Sequence, residues 1–408
     1  MNTKITQDRR KKLSGNFRRM FFIQAFQSVK MVNIVVSLLY LARGLTLSQI
    51  FYLSMVWSFI SIVFEVPSSY MADRWGRKKT IILGTVLYFV SCIVPIFAHS
   101  FLVFGIGIGL FALSFACFTG TDDAVIYDTN RELGEHSASL RRLGKYYSAQ
   151  RIFKIVSPLL GAFLARGLTD GQFVLLMSLD ALFAVVSVFL ALGLIEPKQH
   201  YAVEKVEVGV FKDAYHLIKN NYCLIRAIFN RSLAFIGVFL IWRFNQIFFT
   251  NLGISIMVLG ASWSFEHLIM FLVNYYSSRL WPKRSAEMKI NILNYLTIIF
   301  VVMFLGAWYL NFSPYLLLFI YVLFNFAETA RWPIFSDLFN SYSKSFNRAT
   351  TLSLSNIIKS ILEIPVIALT GFLIVKNVAY PFYIMLFLLV VASFGFHLPK
   401  RVRVEKSV

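Results

Sequence analysis

Long apolar stretches alternate with short polar connections along almost the whole chain. A helix that crosses the hydrocarbon core of a bilayer needs about 20 mostly apolar residues. Segments of that length predict twelve spans. They lie near residues 20–41, 49–71, 80–98, 101–125, 146–167, 173–195, 228–249, 256–280, 290–310, 314–336, 352–375 and 379–398. The pattern therefore predicts an all-α integral membrane protein with twelve transmembrane helices in two six-helix bundles.

The longest polar connection separates the two halves. We expect a basic tail at 1–19, a bundle at 20–195, a linker at 196–226, a second bundle at 227–398 and a tail at 399–408. In the linker, apolar positions within 210–221 predict either a short helix on the membrane surface or a solvated segment.

The two halves also look like repeats. The outer loops RGLTLS (43–48) and NLGISI (251–256) correspond, and each is followed by Trp-Ser-Phe. TDDAVIYDTN (121–130) likewise parallels ARWPIFSDLFN (330–340). Pseudo-symmetric halves are how one class of secondary transporters builds its central site.

Composition narrows the function classes. Hydrophobic residues make up 58% of the chain and charged residues 15%, against roughly 25% charged in soluble proteins. The three cysteines are isolated and the six histidines are scattered, so we expect no disulfide, metal site, cofactor or enzymatic activity. The chain has no glycine-rich phosphate loop, which argues against an ATP-driven pump.

Charge predicts the orientation. Most of the 40 Lys and Arg residues lie in alternate connections and in both tails. Because cytoplasmic loops retain positive charge, we expect a multi-pass protein of the cytoplasmic membrane, monomeric, with both termini in the cytoplasm. The net charge of +20 is then explained by topology and contact with anionic lipid. It does not indicate nucleic-acid binding, since the cations are dispersed over many short loops.

Ionisable residues within predicted spans are the candidate functional groups. Each costs at least ~2.5–3.5 kcal/mol at the bilayer centre, so it must pair or line a wet cavity. Lys30 and Asn33 share a polar stripe of span 1, and Trp263 and Glu266 share a face of span 8. Lys30 is interpreted as a substrate contact or a buried pair. Glu266 has no cation within four residues on its own helix, which suits a proton carrier.

Other charged residues leave two interpretations open. Glu328 with Arg331 and Lys359 with Glu363 are spaced to neutralise each other along one helix, so each is either a structural pair or a site. Trp242 and Arg243, near the outer end of span 7, predict an aromatic contact and an anion-binding or snorkelling cation. Asp180 is interpreted as a helix-packing residue. Arg151 and Lys154 share a face of span 5 and predict a gating or structural contact with Asp122, Asp123 or Glu65.

The most specific signal lies at residues 64–80, FEVPSSYMADRWGRKKT. Asp73, Arg74, Gly76, Arg77 and Lys78 resemble the loop G-x-x-x-D-[RK]-x-G-[RK]-[RK] between spans 2 and 3 of the major facilitator superfamily, with Ser69 in the usual glycine position. Glu65-Val66-Pro67 and RATTLS (348–353) are similar to bacterial drug-efflux-like members. The resemblance implies alternating access. It also implies that Asp73 and Arg77 join an acidic residue of span 4, with Asp123 preferred and Asp122 and Asp128 as alternates, to latch the outward-facing state.

These observations predict proton-coupled export of a small amphipathic compound. Glu266 carries protons, Lys30 and Arg243 contact an anionic group, and Trp242 and Trp263 supply apolar contact. The alternatives are transport of an anionic metabolite or lipid-like molecule, and a non-transporting sensor derived from a transporter. Unlike many proton antiporters of the family, the chain has a glycine-poor span 5 and no Arg in span 4.

Overall fold

All regular structure in the described part of the chain is helical. The computed structural model describes residues 6–135, 138–198, 219, 221–276, 284–342 and 348–399. The first half contains α1 (Gln7–Gln27), α2 (Val36–Ala42), α3 (Leu47–Trp75), α4 (Arg77–Ile93), α5 (Phe101–Phe118), α6 (Thr121–Leu133), α7 (Ser139–Leu164) and α8 (Asp170–Leu192). The second half contains α9 (Tyr222–Trp242), α10 (Asn245–Asn251), α11 (Ile256–Tyr276), α12 (Ala286–Tyr309), α13 (Pro314–Tyr342), α14 (Arg348–Leu373) and α15 (Tyr380–Val390). Short 3-10 helices occupy Met31–Val35 and Val94–Phe97, and one π-helical turn occupies Val391–Gly395.

The helices have the length and composition of membrane spans. Within the described residues, eight helical segments are long and apolar enough to cross a bilayer, and two shorter apolar helices cover Ile256–Leu272 and Tyr380–Gly395. Each of the twelve predicted spans coincides with a helix or a pair of consecutive helices. The all-α membrane fold is therefore confirmed, whereas α7 and α13 lie outside both groups and the count of twelve spans stays a prediction.

By their Cα packing, the residues fall into two compact units. The first is Met1–Lys205 with Ser255–His267, and the second is Val206–Ile254 with Leu268–Val408. The start of α11 thus belongs with the first unit. The predicted surface helix at 210–221 lies almost entirely outside the described residues.

The repeat is visible in the backbone. Val35, with φ −126° and ψ 7°, is followed by the seven-residue α2, and Phe244, with φ −131° and ψ 3°, is followed by the seven-residue α10. Each short helix is followed by a glycine with φ +86°, Gly44 or Gly253. This left-handed conformation favours glycine. The two loops that correspond in sequence, 43–48 and 251–256, therefore share one conformation at their glycines.

One buried arginine joins several segments at the end of the first unit away from the basic tail. Arg43 is 7% exposed, and its Nε donates to Asp170 at 2.9 Å. Its Nη1 donates to the backbone carbonyls of Pro95, Ile96 and Ala98 at 2.7–3.0 Å. A single guanidinium thus links the connections that precede α3 and α5 to the first residue of α8.

A core of buried residues lies at the opposite, basic end of each unit. In the first, Met20, Ile81, Val125, Tyr146 and Ala191 bring together α1, α4, α6, α7 and α8. In the second, a comparable cluster joins α9, α12, α13 and α14 to the segment after α15. These clusters pack the helix ends to which the basic connections attach.

Candidate functional site

The first predicted span is not one continuous helix. The helix α1 ends at Gln27, residues 28–30 are not helical, and a 3-10 helix begins at Met31. Lys30, with φ −141° and ψ 71°, is the residue before that second start. A helix start leaves backbone N–H groups without intrahelical acceptors. At membrane depth such groups need partners inside the protein.

Asp180 of α8 supplies the partner. Its Oδ1 accepts from the N–H of Met31 at 2.8 Å and its Oδ2 accepts from the N–H of Val32 at 3.1 Å. The Asp180 residue is 4% exposed. The carboxylate therefore caps the second start of the span, which agrees with the structural interpretation of Asp180 and gives it a specific contact.

α7 approaches the same break very closely. An ideal Cβ built on Gly161 would overlap the carbonyl oxygen of Met31 and lie 3.0 Å from Ile34 Cγ2. Glycine at this position lets the two backbones meet, as small residues do at helix contacts in membranes.

A cavity of about 120 Å³ lies beside the break, within the first unit. Aliphatic and aromatic side chains form most of its wall, with few polar groups among them. The polar and aromatic lining includes Lys30, Asn33, Tyr40, Tyr88, Ser91, Cys92, Phe104, Phe111 and Asp180. Two substrate residues predicted from sequence, Lys30 and Asn33, are thus brought together at one site.

The Lys30 ammonium rests on aromatic faces. Its Nζ lies 4.0 Å from the ring centre of Phe111 and 5.7 Å from that of Tyr88. The Tyr88 hydroxyl donates to the carbonyl of Gln27, the last residue of α1, at 3.0 Å. Aromatic faces attract cations, and in the described part of the chain no carboxylate oxygen lies within 4.0 Å of Lys30 Nζ. The site can therefore offer a positive charge and apolar walls to one small molecule.

The other predicted substrate residues lie elsewhere. At the end of α9, Trp242 Nε1 donates to Asn325 Oδ1 at 2.8 Å, and the Arg243 guanidinium lies 4.2 Å from the ring centre of Phe239. Trp263 and Glu266 are half-buried on α11. None of these four residues lines the cavity beside the break.

Both sequence-spaced pairs of the second unit form ion pairs along their own helices. Arg331, 1% exposed, contacts the Glu328 carboxylate and the side-chain oxygen of Asn294. Lys359 Nζ lies 3.3 Å from Glu363 Oε2. The structural-pair interpretation explains these geometries, and a transport role for them stays a prediction.

The structure gives contacts for three of the predicted gating residues, and the side chains of the other three lie outside the described residues. Arg77 forms a close ion pair with Asp128, which was an alternate to the preferred Asp123. Asp123 instead accepts from the Tyr147 hydroxyl at 2.6 Å. Lys154 donates to Gln150 at 2.8 Å. The side chains of Glu65, Asp73 and Arg151 lie outside the described residues.

Sequence reasoning missed the carboxylates that hold the basic end of the first unit. Glu196 accepts from the N–H groups of Arg77 and Lys78 at 2.9 and 2.8 Å, which caps α4. Glu132 accepts from Arg9 Nε at 2.6 Å and from the N–H of Lys198 at 2.7 Å. For Glu196 the sequence did offer a signal, because this acid directly follows the sixth predicted span, at the end where the basic connections lie.

Comparison with known proteins places this geometry in a family. The family model described as Major Facilitator Superfamily matches residues 20–366. The chain belongs to the major facilitator superfamily. It therefore has the fold of a secondary transporter, and the family identified from the loop at 64–80 is confirmed.

Relatives and solved structures of the superfamily agree with this fold. An uncharacterized transporter of Buchnera aphidicola subsp. Schizaphis graminum (strain Sg) is 22% identical over 217 residues, which are 53% of this chain and 51% of the relative. The match thus spans about half the length of that relative. The crystal structure of a D-xylose-proton symporter has a TM-score of 0.73 at 15% identity, covering 97% of this chain and 98% of that one. The nucleoside transporter NupG has a TM-score of 0.72 at 14% identity, covering 94% and 98%.

Proposed function

We propose that this member of the major facilitator superfamily exports a small amphipathic compound across the cytoplasmic membrane by alternating access, in exchange for protons. Both termini would face the cytoplasm, and the protein would transport its substrate as a monomer. One observation carries the proposal: Lys30 presents its ammonium to a cavity with aromatic and aliphatic walls, at a break in the first span.

The lining of the cavity supports the substrate class. A ligand with an anionic group would displace the ammonium of Lys30 from the faces of Phe111 and Tyr88, and its apolar body would contact the same rings. Substrate sites of this kind combine apolar walls with a few placed polar groups. Irregular backbone beside such a site is expected where it lines a cavity.

Proton coupling is supported by carboxylates at membrane depth. Glu266 is half-buried on α11, and residues of this type in transmembrane segments form proton relays in many transporters. A protein of similar fold is named a D-xylose-proton symporter. Glu266 is accordingly the proposed proton carrier, with Trp263 as an apolar contact on the same helix.

Transport by purified protein in lipid vesicles tests the substrate role of Lys30. The assay uses an imposed pH gradient and a panel of amphipathic dyes and organic anions. Lys30→Ala is expected to lower transport about tenfold or more, since a hydrogen bond to a charged group contributes about 1.5–3 kcal/mol, and Lys30→Arg should retain more activity. Lys11→Ala changes an exposed cation on α1, far from the cavity in sequence, and as the control it should transport normally. Full activity of Lys30→Ala would reject the proposed site.

A second candidate is exchange of an anionic metabolite or lipid-like molecule, favoured by Lys30, the one cation in the lining of a mostly apolar cavity. Glu266→Gln separates the two. Proton-coupled export requires that this variant lose gradient-driven movement, whereas anion exchange without a pH gradient should be unchanged. A chain that only senses its ligand would bind the compounds of the panel and move none of them.

A further inference from the structure

A second cavity, distinct from the one beside the break, lies between α1, α6 and α7 at the basic end of the first unit. Its volume is about 330 Å³. The residues that line it are Phe17, Arg18, Phe21, Ile126, Arg142, Lys145 and Tyr146. The proposed transport mechanism uses none of them.

The lining has an apolar part and a cationic part, and the cationic part, formed by Arg18, Arg142 and Lys145, is called the rim below. Phe17, Phe21, Ile126 and Tyr146 form apolar and aromatic walls, whereas the three other lining residues are cations contributed by two helices. The guanidinium carbon of Arg142 lies 3.8 Å from the ring centre of Phe17. Such a site can hold an anionic group at its edge while an apolar part of the same molecule lies inside.

The cavity lies at the level where both helices change from charged to apolar. On α1, Arg18 and Arg19 are the last charged residues before the run that begins at Met20. On α7, Arg142 and Lys145 come directly before Tyr146, where the fifth predicted span begins. In a membrane this level corresponds to the headgroups of the leaflet, where cations between transmembrane helices meet anionic lipid.

The rim keeps a net positive charge. Arg142 contacts the carboxylate of Glu135 and the side-chain oxygen of Asn130, and Glu135 also accepts from Arg10 at 3.3 Å. The hydrogen bond from Arg142 lowers the pKa of Glu135 below its usual range, so this partner stays ionised at neutral pH. Arg18 and Lys145 are exposed, and in the described ranges no carboxylate oxygen lies within 4.0 Å of either.

We propose that this cavity binds the headgroup of an anionic phospholipid. The phosphate would lie between Arg18 and Lys145, and the glycerol and first chain carbons would contact Phe17 and Phe21. A row of aromatic side chains continues from there along the span, with Phe22 and Phe26 stacked at 6.1 Å and Phe26 and Phe183 at 5.9 Å. Because a lipid has a chain to lay along these rings and free phosphate has none, the geometry favours a lipid. The bound lipid would tie α1 to α7.

Thermal unfolding of the full chain in a neutral detergent tests the site. Phosphatidylglycerol, phosphatidylcholine and inorganic phosphate are titrated separately into the protein and two double variants. Arg18→Gln with Lys145→Gln removes two rim cations. Lys11→Gln with Arg141→Gln removes one exposed cation from each of the same helices, and neither residue lines the cavity. The two variants therefore have equal net charge, and a monodisperse gel-filtration peak for each shows that both fold.

Phosphatidylglycerol is expected to raise the Tm of the unaltered protein and of the control by roughly 5 °C at saturation. The rim variant should lose most of this shift, and phosphatidylcholine and inorganic phosphate should produce little. An equal shift in both double variants would overturn the proposal, because general charge attraction would then explain it. An equal shift with inorganic phosphate would overturn it as well, by showing a free-anion site.

Discussion

Asp180 and Lys30 are two charged side chains that lie at one break in a transmembrane span. The Asp180 carboxylate accepts hydrogen bonds from two backbone N–H groups at the second helix start. The Lys30 side chain lines the cavity, and its ammonium lies over the ring of Phe111. The carboxylate therefore fixes the backbone, and the ammonium is the proposed ligand contact. The two residues line one cavity but have different tasks.

This division of tasks gives a prediction for Asp180. Replacing Asp180 by Ala leaves one buried and one part-buried N–H donor without this acceptor, so the free energy of unfolding should fall by about 1–4 kcal/mol, since a buried donor without a partner costs about 1–3 kcal/mol. Asp180→Asn keeps one acceptor oxygen and should lose less. Thermal unfolding of the purified variants measures both effects.

Ser178→Ala serves as the control for Asp180, because Ser178 is an exposed polar residue on the same helix. Its unfolding should stay within about 0.5 kcal/mol of the original protein. Equal stability of Asp180→Ala and Ser178→Ala would contradict the capping role.

Among the helices, α7 has an apolar part that contacts the broken span and a basic part that lines the second cavity. Its apolar part touches the broken span at Gly161, where no side chain fits beside Met31. Its basic part carries Arg142 and Lys145 at the proposed lipid site. The same helix thus contacts α1 at the break and near its charged start, so a shift of α7 would affect both places.

The Gly161 contact predicts that a glycine-to-alanine change affects stability very differently at two positions of α7. Gly161→Ala should destabilise the protein by about 1–3 kcal/mol, because the added methyl group overlaps a backbone carbonyl that cannot move away freely. Gly144, on the same helix, has no atom within 4 Å of an added Cβ. Gly144→Ala should therefore be neutral or stabilising by up to ~1 kcal/mol. Equal melting temperatures for the two variants would show that α7 does not make this close contact.

How far the sequence could predict the molecule depends on whether a feature is local. The spans followed from apolar length, and the two corresponding outer loops followed from sequence likeness. The break at residues 28–30 was not predictable, because SVKMVN contains neither Pro nor Gly and its cap comes from Asp180, 149 positions away. Lys30 and Asn33 both line the cavity, although the helical spacing that grouped them in the sequence is interrupted by the break. For Arg77 the spacing allowed three acids, and only the packing of α4 against α6 selects Asp128.

On the scale of the whole molecule, the two units repeat one backbone design with different side chains. Val35 and Phe244 have nearly the same dihedral angles, and Gly44 and Gly253 share φ +86°. The side chains at these turns differ, since Arg43 binds three carbonyls in the first unit and the second has Leu252 in the corresponding position, directly before Gly253. The conformation has thus been kept while the contacts have changed.

The shared turn predicts matched effects in the two units. Gly44→Ala and Gly253→Ala should each cost about 1–2 kcal/mol, because both place an L side chain in the left-handed region while no neighbour lies within 4 Å. The double variant should show the sum of the single effects to within about 0.5 kcal/mol, since no atom lies within 4 Å of the Cβ added at either glycine. Asn at either position should cost less than Ala. Strong non-additivity in thermal unfolding would indicate that the turns are coupled.

The interruption at Lys30 has no counterpart in the second unit, where the corresponding Phe239 lies inside the uninterrupted α9. A compound bound beside the broken helix, as proposed, would meet Lys30 in the first unit and Phe239 at the corresponding position of the second. The two units would therefore not be interchangeable for an amphipathic substrate, which would bind in a single orientation.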